Sequence, residues 1–323
     1  MHILVCGGAG YVGSHVAYVL AERGHEVTVL DNLSTGHRQA VRWGRLIEAD
    51  LLKPETLEAG FDCPVDAVMH FCARSLVGES VNQPYDYYDN NVVGSLNLLR
   101  AMRRHGVERL VFSSTAAVFG QPIRTPIDED HPRTPINPYG ASKLMVERIL
   151  ADAAHAHGLR SVSLRYFNAA GAAADAGIGE SHTPETHLIP NVLLSAIGEG
   201  PPLKIFGSDY PTLDGTCIRD YVHVLDLADA HIRALEFMSS HTGAHAFNLG
   251  NGIGFTVLQV IEAAGRIVGQ PLQFDRAARR QGDPAVLVAA SQKARDTLGW
   301  IPSHTRLDDI VRSALAWHRN KRY

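Results

Sequence analysis

The first 31 residues constrain the fold more than any other part of this chain of 323 residues. His2 to Cys6 is a short apolar run of the kind that forms a buried parallel strand. Gly7-Gly8-Ala9-Gly10-Tyr11-Val12-Gly13 follows at once, and Val12, Val16, Val19 and Leu20 then mark one face of a helix. Gly24-His25 ends that helix, and Glu26 to Leu30 reads as a second strand, closed by Asp31. A lone glycine pattern says little. Strand, glycines, helix, strand and terminal acid in this order specify a dinucleotide-binding βαβ unit. Gly7, Gly10 and Gly13 permit a tight turn and close approach of the backbone to a pyrophosphate, which the helix N-terminus near Tyr11 faces. Asp31 accepts hydrogen bonds from ribose hydroxyls and repels a 2′-phosphate. No Arg or Lys occurs in the next six residues, although Arg38 follows. The expected cofactor is NAD rather than NADP.

Apolar runs over 45–49, 66–71, 108–113 and 160–167 alternate with helical patterns, including a long one from about Tyr85 to His105. This alternation predicts an α/β fold with a doubly wound, parallel Rossmann-type sheet. Ligands of such sheets bind beyond the carboxyl ends of the strands, where Asp50, residues 71–75 and residues 113–115 fall. From Asn168 the texture changes, with residues 171–200 rich in Gly, Ala and Pro and the strands short. The expected organisation is an NAD-binding domain over 1–167, completed by 219–247, and a smaller C-terminal α/β substrate lobe over 168–323.

The segment Asn137-Pro138-Tyr139-Gly140-Ala141-Ser142-Lys143 reads as a helix start. Asn is a favoured N-cap, and Pro at the first helical position gives up no useful hydrogen bond. Tyr139 then lies in the first turn, with Lys143 on the same face at i+4. A phenol is a poor base at neutral pH, and lowering its pKa to 7 takes roughly 4 kcal/mol of differential stabilisation. A neighbouring ammonium and a positive helix N-terminus both act in that direction. The pair reads as a proton-transfer device, although Tyr-x-x-x-Lys alone also fits two solvated side chains on an amphipathic helix.

Composition removes other classes. A net charge of −4 without a basic run gives no electrostatic case for nucleic acid. No apolar stretch approaches membrane-spanning length, and Met1 leads straight into a strand, so no signal peptide is expected. Cys6, Cys63, Cys72 and Cys217 are irregularly spaced and form neither a metal-ligand nor a disulfide pattern. A cytoplasmic protein is expected. Among 17 His, His182 and His187 lie near each other in a loop region. No His-Glu-x-x-His motif or comparable cluster occurs, so no metal is expected.

With these residues in hand, the chain resembles the extended short-chain dehydrogenase/reductases and, within them, the UDP-glucose (UDP-galactose) 4-epimerases. The resemblance runs along essentially the whole length. It is carried by GGAGYVGSH with LDNLS, HFCARSLVGESV, YYDNNVVGS, FSSTAAVFG, PYGASKLMVE, LRYFNAAGA, IFGSDYPTLDGTCIRDYVHVLDLADAH and FNLGNG. The stretch from Gly207 to His223 is far more specific than any glycine loop. The resemblance implies tightly held NAD, a redox-neutral cycle on a UDP-sugar, and a homodimer.

It also implies roles. Tyr139 removes the proton from the sugar 4-hydroxyl while hydride passes from C4 to the nicotinamide. Lys143 holds the nicotinamide ribose and keeps Tyr139 ionised. Thr115 stands where a Ser is usual and bridges O4 and Tyr139. The 4-keto sugar turns over and accepts the hydride on its opposite face. Tyr11, Val12, Asp31, Asn32, Asp50 and Leu51 match cofactor contacts of the family. So do Phe71, Ala73, Asn90, Ser113, Tyr166 and Phe167. On the substrate side, Arg219 and Arg280 suit a diphosphate, because a guanidinium grips phosphate oxygens through two parallel hydrogen bonds. Surface ion pairing is the plainer alternative for both. Asp283 suits ribose hydroxyls and Phe206 a uracil face, and Asn168, His187, Leu188 and Lys204 match the same site.

Departures from the pattern are informative. Thr186-His187-Leu188-Ile189-Pro190 stands where Asn-Asn often precedes the Leu-Pro-like run, Ser75 where some relatives carry Lys, and Phe119 where Tyr is frequent. Leu287 aligns with a position where a large Tyr narrows the sugar pocket and smaller residues admit N-acetyl groups. A UDP-N-acetylglucosamine/UDP-N-acetylgalactosamine 4-epimerase, or a dual-specificity enzyme, is therefore the alternative. A 4,6-dehydratase needs an added acid and base after the active Thr, whereas Ala116-Ala117 follow Thr115. A plain alcohol dehydrogenase would release NADH, and a noncatalytic dinucleotide sensor would not keep the Tyr–Lys pair.

Overall fold

A computed structural model describes residues 1–280 and 283–323. The N-terminal run forms β1 (His2–Cys6), followed by α1 (Tyr11–Glu22), β2 (Glu26–Asp31), β3 (Arg45–Glu48) and β4 (Ala67–His70). Next come α2 (Val77–Asn82), α3 (Pro84–Tyr88), the π-helical turn Asp89–Val93, α4 (Gly94–Arg104), β5 (Arg109–Thr115), α5 (Pro138–His157) and β6 (Arg160–Tyr166). The second half contains β7 (Asn168–Ala170), α6 (Leu188–Ala196), β8 (Lys204–Phe206), β9 (Ile218–His223), α7 (Val224–Phe237) and β10 (Ala244–Leu249). It ends with β11 (Gly254–Thr256), α8 (Val257–Val268), β12 (Asp275–Ala277), β13 (Val286–Leu287), α9 (Gln292–Leu298) and α10 (Leu307–Arg319).

Seven strands make one parallel sheet in the order β10-β6-β5-β4-β1-β2-β3. Its strands are apolar on both sides because both faces are covered. Along β1, Ile3 and Val5 point to a core completed by Val16 and Leu20 of α1 and Leu227 and Leu235 of α7. Leu4 and Cys6, one residue out of phase, enter a second core with Leu98 and Met102 of α4 and Val146 and Leu150 of α5. Each such side chain contributes on the order of 1.5–3 kcal/mol by burial. This doubly wound arrangement is the α/β fold the alternation predicts.

A smaller lobe is built on β9. Its first half pairs β11 antiparallel and β13 parallel, and its second half pairs β7. Helices α6, α8 and α10 cover it through Val192, Val260 and Ile310. Buried Asp220 holds these segments together by accepting the backbone N–H groups of Asn251, Gly252 and Ala289 at 2.7, 3.1 and 3.1 Å. The return to the large sheet therefore differs from the expected span of 219–247. Strand β9 stays with the small lobe, and the returning segment is α7 followed by β10, which ends at Leu249. The reason is pairing: Ile218 to Asp220 meets β11, with β13 on Ile218 and Arg219, whereas the apolar face of α7 packs on the large sheet.

Candidate active site

The glycine loop sits where β1 ends. Gly7 has φ +82°, and a Cβ there would stand 2.7 Å from the backbone N of Cys72. A Cβ on Gly13 would lie 2.1 Å from the Gly7 carbonyl oxygen, so α1 can press against the turn only without a side chain. Gly10 precedes the helix and offers no side-chain cap. The first-turn N–H groups, at Tyr11, Val12 and Gly13, are therefore open to an anion. Asp31 is buried, and its carboxylate accepts the N–H groups of Ala9 and Leu33, each at 2.9 Å. Leu33 reaches it with φ +55°, the sole positive φ outside glycine among the described residues. Burial raises the pKa of Asp31, opposed by those two N–H bonds. Arg38 pairs with Glu48, so its charge is already engaged. These residues fit a dinucleotide with a free 2′-hydroxyl.

Most of the expected cofactor residues lie at or just beyond the carboxyl ends of the large sheet's strands. Asn32 donates to Asp50 at 3.4 Å across the ends of β2 and β3. Leu51 is buried, and its carbonyl accepts Asn97 Nδ2 at 2.9 Å. Phe71 packs on the His231 ring at 4.8 Å, with Ala73 following it. Asn90 lies in the π-helical turn, a form of helix often found at functional sites, and donates to Asn91 at 2.9 Å. Ser113 and Tyr166 share a short hydroxyl hydrogen bond between β5 and β6. Tyr11 turns its hydroxyl to the Gly171 carbonyl at 2.6 Å.

The carboxyl end of β5 meets the start of α5. Asn137 Oδ1 accepts the Gly140 N–H at 2.8 Å, which fixes the first turn, and Pro138 opens it. A Cβ on Gly140 would stand 2.4 Å from the Ala117 carbonyl, so the turn lies directly on the segment after Thr115. Thr115 is buried, and its hydroxyl accepts the Ala117 N–H at 3.1 Å. Lys143 is buried and donates to the Ser113 carbonyl at 2.7 Å, with its ammonium 4.7 Å from the centre of the Phe112 ring. Burial lowers its pKa to about 7, opposed by Cys72 and Glu147.

The electrostatics depart from expectation at Tyr139. Burial raises the phenol's pKa, and the Thr115 hydroxyl is the influence opposing it. Lys143 turns its ammonium to the Ser113 carbonyl, at the end of the strand that Tyr139 faces. The chain thus offers a buried phenol and a hydroxyl at the end of β5, with an amine that titrates near neutrality one turn along the same helix. Proton transfer is what such a set can do.

On the small lobe, Arg219 pairs with Asp283 and also donates to the Ile218 carbonyl at 2.7 Å. Strand pairing puts Leu287 opposite Arg219. Leu287 packs with Phe167, Phe119, Ile127 and Leu144. Arg280 stacks on the Phe206 ring at 4.2 Å, and Lys204 lies two residues before Phe206 on the same face of β8. Asn168 donates to the Asp220 carbonyl at 2.8 Å. His187 immediately precedes α6, whose first residue is Leu188, and turns its ring to Glu185 at 2.7 Å.

Several supporting residues escaped the sequence reading. Buried Asn91 accepts the Arg74 N–H at 2.9 Å and donates to Ser142 Oγ at 2.9 Å, tying the loop after β4 to the Tyr139 helix. Glu147, one turn beyond Lys143, accepts Ser114 Oγ at 2.6 Å and both arms of buried Arg165 at 2.9 and 2.6 Å. Asn91 could have been found from its place beside Asn90 in YYDNNVVGS. The Glu147–Arg165 pair left no local signal.

Fold and site together define a dinucleotide-binding enzyme of Rossmann type with a Tyr–Lys pair at the end of its fifth strand. Residues 3–250 match the NAD dependent epimerase/dehydratase family, and the chain belongs to it. It is 53% identical over 322 residues to the UDP-glucose 4-epimerase of Corynebacterium glutamicum, covering 98% of this chain and 95% of that protein. The crystal structure of UDP-glucose 4-epimerase from Brucella ovis in complex with NAD superposes with a TM-score of 0.93 at 47% identity, covering 97% of each chain. The Bifidobacterium longum enzyme in complex with NAD+ and UDP gives 0.94 at 36%, covering 99% of this chain and 98% of that one. None of the described helices is long and apolar enough to cross a membrane.

Proposed function

We propose that this chain interconverts UDP-glucose and UDP-galactose, using tightly bound NAD in a redox-neutral inversion at C4. The observation that carries the reading is the start of α5, which brings Tyr139 and buried Lys143 onto the segment that follows buried Thr115 at the end of β5. The large-sheet lobe, with α7 and β10, takes the cofactor, and the lobe around β9 takes the nucleotide half of the substrate.

Bound NAD supplies the hydride acceptor and donor. The chain supplies the rest. The uncapped start of α1 and Asp31 hold the dinucleotide. As phenolate, the form that the positive charge of bound NAD would favour, Tyr139 would take the proton of the 4-hydroxyl and later return it, with the Thr115 hydroxyl beside it. Lys143 exchanges a proton readily because its pKa is about 7. Arg219 and Arg280 meet the diphosphate, the former by sharing Asp283, whose other lone pairs are left for ribose hydroxyls. Asn168, His187, Leu188, Lys204 and Phe206 complete the nucleotide side.

A homodimer through the α2–α5 face is part of this reading. Val81, Tyr85, Val93 and Met145 are large apolar side chains exposed there, Tyr85 at 82%. A cytoplasmic setting is also part of it, and its thiols Cys6, Cys63, Cys72 and Cys217 are free.

The test incubates purified protein, without added cofactor, separately with UDP-galactose and UDP-N-acetylgalactosamine and resolves the products by chromatography. Conversion of UDP-galactose is expected. No conversion, even with added NAD, overturns the assignment. Leu287→Tyr should lower the ratio of N-acetyl to plain hexose turnover several-fold, and an unchanged ratio removes Leu287 as the gate.

A further inference from the structure

We propose that the segment between β7 and α6 binds a zinc ion through Glu180, His182 and His187. One donor atom of each residue lies within 4.8 Å of the other two. Bonds of about 2.1 Å set tetrahedral donors about 3.4 Å apart, so the trio closes by a contraction of no more than about 1.4 Å. Two imidazoles and one carboxylate are the nitrogen and oxygen donors zinc takes, with a fourth position left to water.

The side chains are already oriented. The Glu180 side chain is only 6% exposed; its carboxylate pairs with His182 Nδ1 and accepts the His182 N–H at 2.9 Å. Glu185 accepts His187 Nδ1 at 2.7 Å and the N–H groups of Thr186 and His187, each at 2.7 Å. The Glu185 carboxylate on His187 Nδ1 leaves Nε2 of that ring as its metal donor, the arrangement that commonly stands behind a zinc-bound histidine, whereas Glu180 and the His182 Nδ1 that faces it are the other two donors. Among the described residues, Nε2 of His187 has no hydrogen-bond partner.

The backbone beneath the cluster is held as well. Trp317 Nε1 donates to the Glu180 carbonyl at 2.7 Å, and Ser181 Oγ donates to the Tyr323 carbonyl at 3.0 Å. A Cβ on Gly179 would lie 2.3 Å from the Trp317 ring, so the segment is seated tightly on α10. Tyr11 of the glycine turn shares one cavity with Glu180 and His187 and another with His182. An ion here ties this segment down beside the cofactor turn. Without it, the same residues form two His–carboxylate ion pairs.

Holoenzyme stripped with a chelator and dialysed against zinc should hold close to one zinc per chain by mass spectrometry of the metal. Cobalt(II) in its place should show the visible bands of a tetrahedral site. Glu180→Gln and His182→Ala, with His182→Gln as the milder variant, should each weaken zinc binding by about tenfold or more while NAD content stays constant. Zinc should raise the melting temperature of the wild type and leave that of His182→Gln unchanged. Failure of the wild type to take up zinc, or uptake undiminished in the folded Glu180→Gln and His182→Gln proteins, overturns the site.

Discussion

Two helices start at the same end of the large sheet, and they start in opposite ways. Helix α1 opens from Gly10 with no side-chain cap, whereas α5 opens from Asn137, whose side chain takes the Gly140 N–H, with Pro138 at the first position. Both starts carry the same partial positive charge, and α5 has one N–H fewer to satisfy because Pro138 has none. In α1 the surplus N–H groups are left for an anion, and the glycines let the backbone approach it. In α5 the Asn137 cap and Pro138 reduce the surplus, and the helix start serves to place Tyr139 and, one turn later, Lys143. One local device therefore binds a ligand when left open and fixes reactive side chains when closed.

The comparison can be broken from either side, and the largest effect belongs to α5. Tyr139→Phe should fold and keep its NAD yet lose turnover by roughly 10³-fold. Near-normal rates, measured by coupled assay, would remove the proton-transfer role. On α1, Gly13→Ala puts a Cβ 2.1 Å from the Gly7 carbonyl oxygen, whereas Gly10→Ala puts one 3.4 Å from the same atom. Gly13→Ala should cost about 1–3 kcal/mol and release the cofactor, with Gly10→Ala folding almost normally. Equal denaturation midpoints for the two variants would show that close approach is not what Gly13 provides.

Lys143 gives a pH signature. Its pKa is lowered to about 7 in the folded chain, so between pH 7 and about 10 the unfolded chain binds a proton that the folded chain does not. Stability contributed at this position therefore rises with pH across that window and is flat below it. In urea titrations of the cofactor-free protein, wild type should gain on Lys143→Met as pH rises from 7 to 9, whereas parallel curves would contradict the burial of the amine. Asn137→Ala should have the smallest effect, about 1 kcal/mol from the lost cap. If α5 does not depend on its cap, the melting temperature will not move.

The same contrast explains what could be read from the sequence. Both helix starts are local: Gly10 with Gly13, and Asn137 with Pro138, mark themselves within a few residues. The parallel sheet follows from apolar runs covered on both faces. The small lobe is different. Strand β9 receives β7, β11 and β13 from three separate stretches of chain, and Asp220 joins them through backbone N–H groups that no sequence pattern announces. The expected boundary at 219 fell inside that strand for this reason. Glu180, His182 and His187 likewise come together through loop geometry rather than helical spacing, so the absence of a His-Glu-x-x-His motif says nothing about them. At Tyr139 the spacing to Lys143 was legible, but the acceptor on Ser113 was not.

The most direct measurement follows the hydrogen at C4. UDP-galactose deuterated at that position is incubated with the purified protein without added cofactor, and the product is read by NMR and mass spectrometry. The account predicts UDP-glucose that keeps the deuterium at C4, with no NADH released into solution. Loss of the label to solvent, or stoichiometric release of NADH, would contradict a hydride that leaves and returns within one closed site.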